Sequence, residues 1–146
     1  MNRLKLTLPQ QWQWHQTVQI PIYFINYGGH MGNDAFLQLL HQARIDFFKS
    51  KGFTELDIDG TASIMADSQL CYKAELKEGD TVKISVACTD FDRLGFDMYY
   101  CVQKQTPTGW VTALEAKTGI MGFDYKVGKK KSFSEVAVQQ LQLLQP

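Results

Sequence analysis

From Asp34 to Phe53 the chain reads D-A-F-L-Q-L-L-H-Q-A-R-I-D-F-F-K-S-K-G-F, with no Gly or Pro before Gly52. Apolar residues stand at Phe36, Leu37, Leu39, Leu40, Ala43, Ile45, Phe47 and Phe48, and several pairs fall on the separations of one helical face. The length predicts a helix of about four to five turns. Asn33 or Asp34 stands where an N-cap belongs, and Gly52 where a C-terminal stop belongs. Apolar positions cover most of the circumference, with Arg44, Asp46 and Lys49 among the exceptions, so this helix is expected to be largely buried. It needs a broad apolar surface to lie on.

The flanking segments supply one. Residues 17–23, T-V-Q-I-P-I-Y, are β-branched and aromatic and read as a strand, with Pro21 facing an edge or bulge. Residues 61–75, T-A-S-I-M-A-D-S-Q-L-C-Y-K-A-E, predict a long strand. K-E-G-D, D-R-L-G and T-P-T-G punctuate three further strand segments, among them T-V-K-I-S-V-A-C-T-D-F with its period of two. These segments predict an antiparallel meander. The tail S-F-S-E-V-A-V-Q-Q-L-Q-L-L-Q reads as a short terminal helix capped by Ser132 or Ser134. One strand, one helix and four strands make a two-layer α+β domain over residues 1–146. The strands carry apolar side chains on both faces, so a dimer or tetramer is expected, built by sheet extension or face packing.

Charge and cysteine usage narrow the function classes. Fifteen basic residues balance fifteen acidic ones. A nucleic-acid binder should carry a large basic excess, so that class is not expected. No apolar run reaches the length of a membrane span, and the N-terminus lacks the continuous apolar core of a secretory signal. A cytoplasmic location is the resulting expectation. Cys71, Cys88 and Cys101 are odd in number and sit in apolar strand context, which reads as three buried reduced thiols. The three histidines are far apart, and no metal-binding spacing occurs.

The residues with chemical potential gather in I-N-Y-G-G-H-M-G-N-D, residues 25–34. Glycines permit positive φ and close approach of a ligand to main chain. The stretch ends at a helix start, where unpaired N–H groups and the helix dipole favour negative charge. A carbonyl oxygen becoming an oxyanion is such a charge, and each donor aimed at it contributes roughly 3–4 kcal/mol. Asn26 and His30 bracket two of the glycines and are placed to orient water or bind the carbonyl. A tight strand-to-helix connection without chemistry is the competing reading. The pattern is neither G-x-G-x-x-G nor a P-loop, so a nucleotide-phosphate cradle is not expected.

Three segments in order resemble the hotdog-fold acyl-CoA thioesterases, in particular the 4-hydroxybenzoyl-CoA thioesterase-like branch. They are the 25–34 loop, the helix with Ala43-Arg44, and Y-K-A-E-L-K-E-G-D at residues 72–80. The resemblance implies a hotdog fold, an antiparallel sheet wrapped around one long central helix. It implies hydrolysis of an acyl-CoA, with coenzyme A as part of the substrate and no separate cofactor. The family's usual loop aspartate aligns with Asn26, whose amide cannot serve as a carboxylate base or nucleophile but can hydrogen-bond water or the thioester oxygen. Two alternatives accompany that departure, a non-catalytic acyl-CoA or acyl-carrier-protein binder and a β-hydroxyacyl thioester dehydratase.

Within the resemblance, Asn26, His30 and Asp67 are the expected catalytic residues. Asp67 lies mid-strand, where aspartate is disfavoured, and is expected to reach a site shared between subunits. Tyr27, Gly28, Gly29 and Met31 are expected to bind substrate, as are Asn33, Asp34 and Ser68. Arg44 reads as mainly structural, a partner for the loop or for a neighbouring carboxylate such as Asp46 or Glu55. Lys129, Lys130 and Lys131 read as a solvated run, with attraction of coenzyme A phosphates as the alternative.

Overall fold

The structure, a computed structural model, describes residues 1–146. The elements are β1 (Trp14–Gln19), a 3-10 turn (Ile22–Phe24), α1 (Asn33–Ser50), β2 (Ala62–Tyr72), β3 (Thr81–Thr89), β4 (Gly95–Thr106), β5 (Gly109–Asp124), β6 (Lys129–Lys130) and α2 (Glu135–Gln142). The sheet runs β1-β3-β4-β5-β2 with every pair antiparallel, and the short β6 adds to β5.

β3, β4 and β5 form the expected meander, but β2 does not join it as β3's neighbour. It pairs with β5 instead, from Ala62 opposite Phe123 to Tyr72 opposite Leu114. The connector 73–80 explains the difference. It is not a tight hairpin. The N–H groups of Lys73 and Ala74 bond the Ala113 carbonyl, Lys104 Nζ on β4 holds the Glu75 carbonyl at 3.0 Å, and Leu76 is fully buried. The connector therefore crosses the end of the sheet from β2 to β3. This crossing becomes one wall of the site described below.

β1 starts earlier than expected and ends at Gln19, short of Pro21. Proline has no N–H for the ladder. The Ile20 amide takes the last bond, to the Asp80 carbonyl at 2.9 Å, and residues 22–24 turn as a 3-10 segment. β2 carries a register shift between Met65 and Asp67, a bulge at Ala66.

Alternate strand residues build the core. Val82, Ile84 and Val86 of β3, Phe96, Met98, Tyr100 and Val102 of β4, and Leu114, Ala116 and Ile120 of β5 meet α1. α1 presents Phe36, Leu39, Leu40, Ala43, Phe47 and Phe48 to them, and the Phe47 ring meets Trp14 edge-on at 6.2 Å. Truncating a fully buried phenylalanine such as Phe47 costs about 3–5 kcal/mol. The helix is less buried than its sequence suggests, since eight of its 18 residues are buried and Leu37 is 45% exposed. α1 packs against one face of the sheet, which leaves its outer side, Leu37 included, open.

The helix ends as its glycine foretells. Gly52 has φ of 81°, and the Gly52 and Phe53 amides bond the Lys49 and Phe48 carbonyls. Ser134, not Ser132, caps α2 by accepting from the Ala137 amide at 3.0 Å. All three cysteines are buried and free. No helix is long and apolar enough to cross a membrane.

Candidate active site

Short-range bonds shape the loop between the 3-10 turn and α1. The Asn26 amide bonds the His30 carbonyl and the Gly29 amide bonds the Asn26 carbonyl, both at 3.0 Å. Only Gly29 of the three loop glycines has positive φ, 84°. The Gly28 amide donates to Asn26 Oδ1 at 2.9 Å, an Asx turn. Two further bonds anchor the loop, Met31 N–H to the Leu76 carbonyl at 2.7 Å and Gly32 N–H to the Phe24 carbonyl at 3.1 Å. The first of these fastens the loop to the crossing connector.

The helix start differs from expectation in a way that matters. Neither Asn33 nor Asp34 is the N-cap; Gly32 is, and it has no side chain to offer the first turn. A Cβ at Gly32 would meet Asp34 Oδ1 at 2.6 Å, so a side chain there would displace the exposed Asp34 carboxylate. Without a capping side chain, the amides of Asn33 and Asp34 donate to nothing in the chain.

These features open on a cleft of about 460 Å³. Asn26, His30, Met31, Asn33 and Phe36 line one side, and Tyr72, Lys73, Ala74 and Glu75 line the other. Phe36 and Tyr72 meet edge-on at 5.4 Å, and Tyr72 Oη donates to the Asn33 carbonyl at 3.2 Å. Burial and the nearby Asp34 carboxylate push the Tyr72 phenol above its ordinary pKa, so it keeps the donated proton. His30 Nε2 stands 3.6 Å from Glu75 Oε1, an ion-pair distance longer than a hydrogen bond. Because Asn26 Oδ1 faces the Gly28 N–H, the free end of its amide is the NH₂ group. Asn26 is therefore a donor toward the cleft. Donors at the helix start, a second donor on Asn26 and a histidine base together suit attack of water on a carbonyl.

Asn26, His30, Met31 and Asn33 thus meet in one cleft, with Gly28 and Gly29 shaping the turn beneath them. Tyr27 projects fully into solvent, and Asp34 sits in the first helical turn. Ser68 lies on the exposed edge strand away from the cleft. Asp67 also stands apart. It lies opposite Gly119, on the sheet face turned from α1, where Lys117 Nζ reaches its oxygens at 2.9 and 3.1 Å and the Gly119 amide donates at 2.9 Å. The Lys117 hydrogen bond dominates and holds the Asp67 carboxyl below its ordinary pKa. Within the chain, His30 and Asp67 do not face each other across one site. The Lys129–Lys131 run lies beyond β5 and does not line the cleft. Sequence reasoning missed the wall from Tyr72 to Glu75; its signal was a tyrosine and two opposite charges at the end of a strand, within Y-K-A-E.

The sequence profile of the thioesterase-like superfamily matches residues 20–141, and the chain belongs to that superfamily. No curated protein sequence matches it. Among solved structures, a 1,4-dihydroxy-2-naphthoyl-CoA thioesterase from Synechocystis is similar at a TM-score of 0.76 and 15% identity, over 87% of this chain and 93% of that one. An aspartate-to-asparagine mutant of 4-hydroxybenzoyl CoA thioesterase, complexed with 4-hydroxybenzoyl CoA, gives 0.79 and 13% over 88% and 98%. A Staphylococcus aureus protein in complex with CoA gives 0.77 and 17% over 97% and 92%. The fold is the hotdog fold of these thioesterases.

Proposed function

We propose that this protein hydrolyses an acyl-CoA thioester to the free acid and coenzyme A. The observation that carries the reading is the pair of unengaged amides on Asn33 and Asp34 at a helix start, with Asn33 lining the cleft that holds His30. A thioester carbonyl placed there is polarised by the helix terminus and by the Asn26 NH₂ group. His30 takes a proton from water, whose oxygen attacks the carbonyl carbon. The carbon–sulfur bond then breaks, and the departing thiolate recovers the proton from His30. Coenzyme A enters as part of the substrate, and no other cofactor is required.

In this mechanism Asp67 is a structural partner of Lys117 and His30 supplies the base. Structures of the same fold solved with CoA or an acyl-CoA support the choice of thioester. A homo-oligomer belongs to the proposal as well. β2 is an edge strand with Met65 42% exposed, and a second copy paired there would complete the open side of the cleft.

Purified protein incubated with short, long and aromatic acyl-CoAs should release thiol above background; no release from any of them overturns the reading. The replacement of the family's loop acid by Asn26 favours one second reading, a binder that holds acyl-CoA without cutting it. Asn26→Asp separates the two. If the amide donates to the carbonyl, kcat/KM falls about 10²-fold or more. A large gain from a negligible starting rate supports the binder.

A further inference from the structure

The cleft contains a carboxylate that the loop lacks. We propose that Glu75 is a positioning residue for His30, fixing the proton on Nε2 and steadying the imidazolium as it forms. This inference rests on the hydrolase reading above. His30 and Glu75 are the residues preceding Met31 and Leu76, whose main chains are bonded at 2.7 Å. That bond brings the two side chains together from segments far apart in sequence. Lys104 Nζ fixes the Glu75 carbonyl at 3.0 Å, so the connector cannot drift from the loop. The result is the 3.6 Å approach of Nε2 to Oε1, with both residues on the cleft.

The chemistry follows from the tautomer. A carboxylate beside Nε2 favours N–H at that nitrogen and leaves Nδ1 with the lone pair. Nδ1 takes the water proton, the water oxygen bonds the carbonyl carbon, and His30 carries a positive charge until the leaving thiolate takes a proton back. Glu75 interacts more strongly with that charged state than with the neutral ring. Catalytic hydrogen bonds are often long before substrate binds, and the 3.6 Å separation is of that kind. The other charged groups around His30 are Lys73 on the same wall and Asp34 in the first helical turn. Both remain when Glu75 alone is changed.

The test is kcat/KM for an acyl-CoA that the protein cleaves, compared between wild type and Glu75→Gln. The rate at neutral pH should fall several-fold, and Glu75→Asp should recover part of it. In a His30→Ala background, Glu75→Gln should add no further loss. No loss in Glu75→Gln, or an equal loss with and without His30, overturns the inference while leaving hydrolysis intact. Failure of the wild type to cleave any acyl-CoA overturns the hydrolase reading instead.

Discussion

α1 touches two polar clusters, and they differ in how many of their hydrogen bonds are already made. Midway along the helix, Arg44 Nε meets Glu55 Oε1 at 2.7 Å and His41 Nε2 meets Glu55 Oε2 at 3.0 Å. Arg44 Nη1 reaches Tyr100 Oη at 3.4 Å, which in turn shares a 2.8 Å bond with Thr118 Oγ1. This cluster is closed, and no buried side-chain polar atom of the protein lacks a partner. At the helix start, by contrast, the Asn33 and Asp34 amides and the Asn26 NH₂ group have no acceptor within the chain. Both clusters contain histidine and glutamate, so composition does not separate them. Unspent hydrogen-bonding capacity does, because a donor already satisfied by the protein has little left for a ligand.

Three substitutions test that distinction. His30→Ala should have the largest effect, lowering kcat/KM about 10²- to 10⁴-fold in a thiol-release assay. The same variant should unfold within about 0.5 kcal/mol of wild type, since the side chain is partly exposed and makes no hydrogen bond. Arg44→Met should reverse the pattern. It leaves Glu55 and Tyr100 Oη short of a partner, and urea unfolding should show a loss of about 2–3 kcal/mol, reduced from a fully buried pair because Glu55 is 26% exposed. Activity per folded molecule should stay near wild type. The smallest effect belongs to Asp67→Asn, about 0.5 kcal/mol for an exposed ion pair with Lys117 and no change in kcat. A hundredfold loss of kcat there would return Asp67 to the chemistry.

Glu55 adds a pH signature to the closed cluster. Burial pushes its carboxyl up, but the hydrogen bonds from Arg44 and His41 outweigh that and leave the pKa below the ordinary value. The folded state therefore favours the ionised form. Its contribution is present above the unfolded glutamate pKa, about 4.3, and is lost as pH falls through the lower folded value. Acid unfolding of Arg44→Met should show a shallower loss in that window. An unchanged acid slope would mean that Arg44 is not what holds Glu55 ionised.

The local parts of this molecule were readable from sequence and the distant contacts were not. The α1 periodicity, the Gly52 stop and the β3–β5 turns act over a few residues, and each is where the pattern places it. The partner of β2 depends on how the 73–80 connector crosses the sheet, which no local signal encodes. At the helix start, three residues could end the loop, and the preference of Asn and Asp for capping pointed one or two positions too far along. The same division runs through the site. Asn26, His30 and Asn33 share one short stretch and were found together, whereas Tyr72 and Glu75 join them only through the fastening of Met31 to Leu76. Asp67 was singled out as a charge mid-strand; within the chain it is held by Lys117 and Gly119 on the neighbouring strand, and the shared site expected of it needs a second subunit.

That fastening also bears on the order in which the molecule assembles. β4 and β5 are adjacent in sequence and close a small loop, so their pairing costs little chain entropy and should nucleate early. The Met31–Leu76 contact spans α1 and all of β2, and it waits for both. In native-state hydrogen exchange, the Met31 amide should trade its proton faster than the Tyr100 or Ala116 amides of the central strands. The cleft would then be completed only at the close of folding, and would come apart first on warming.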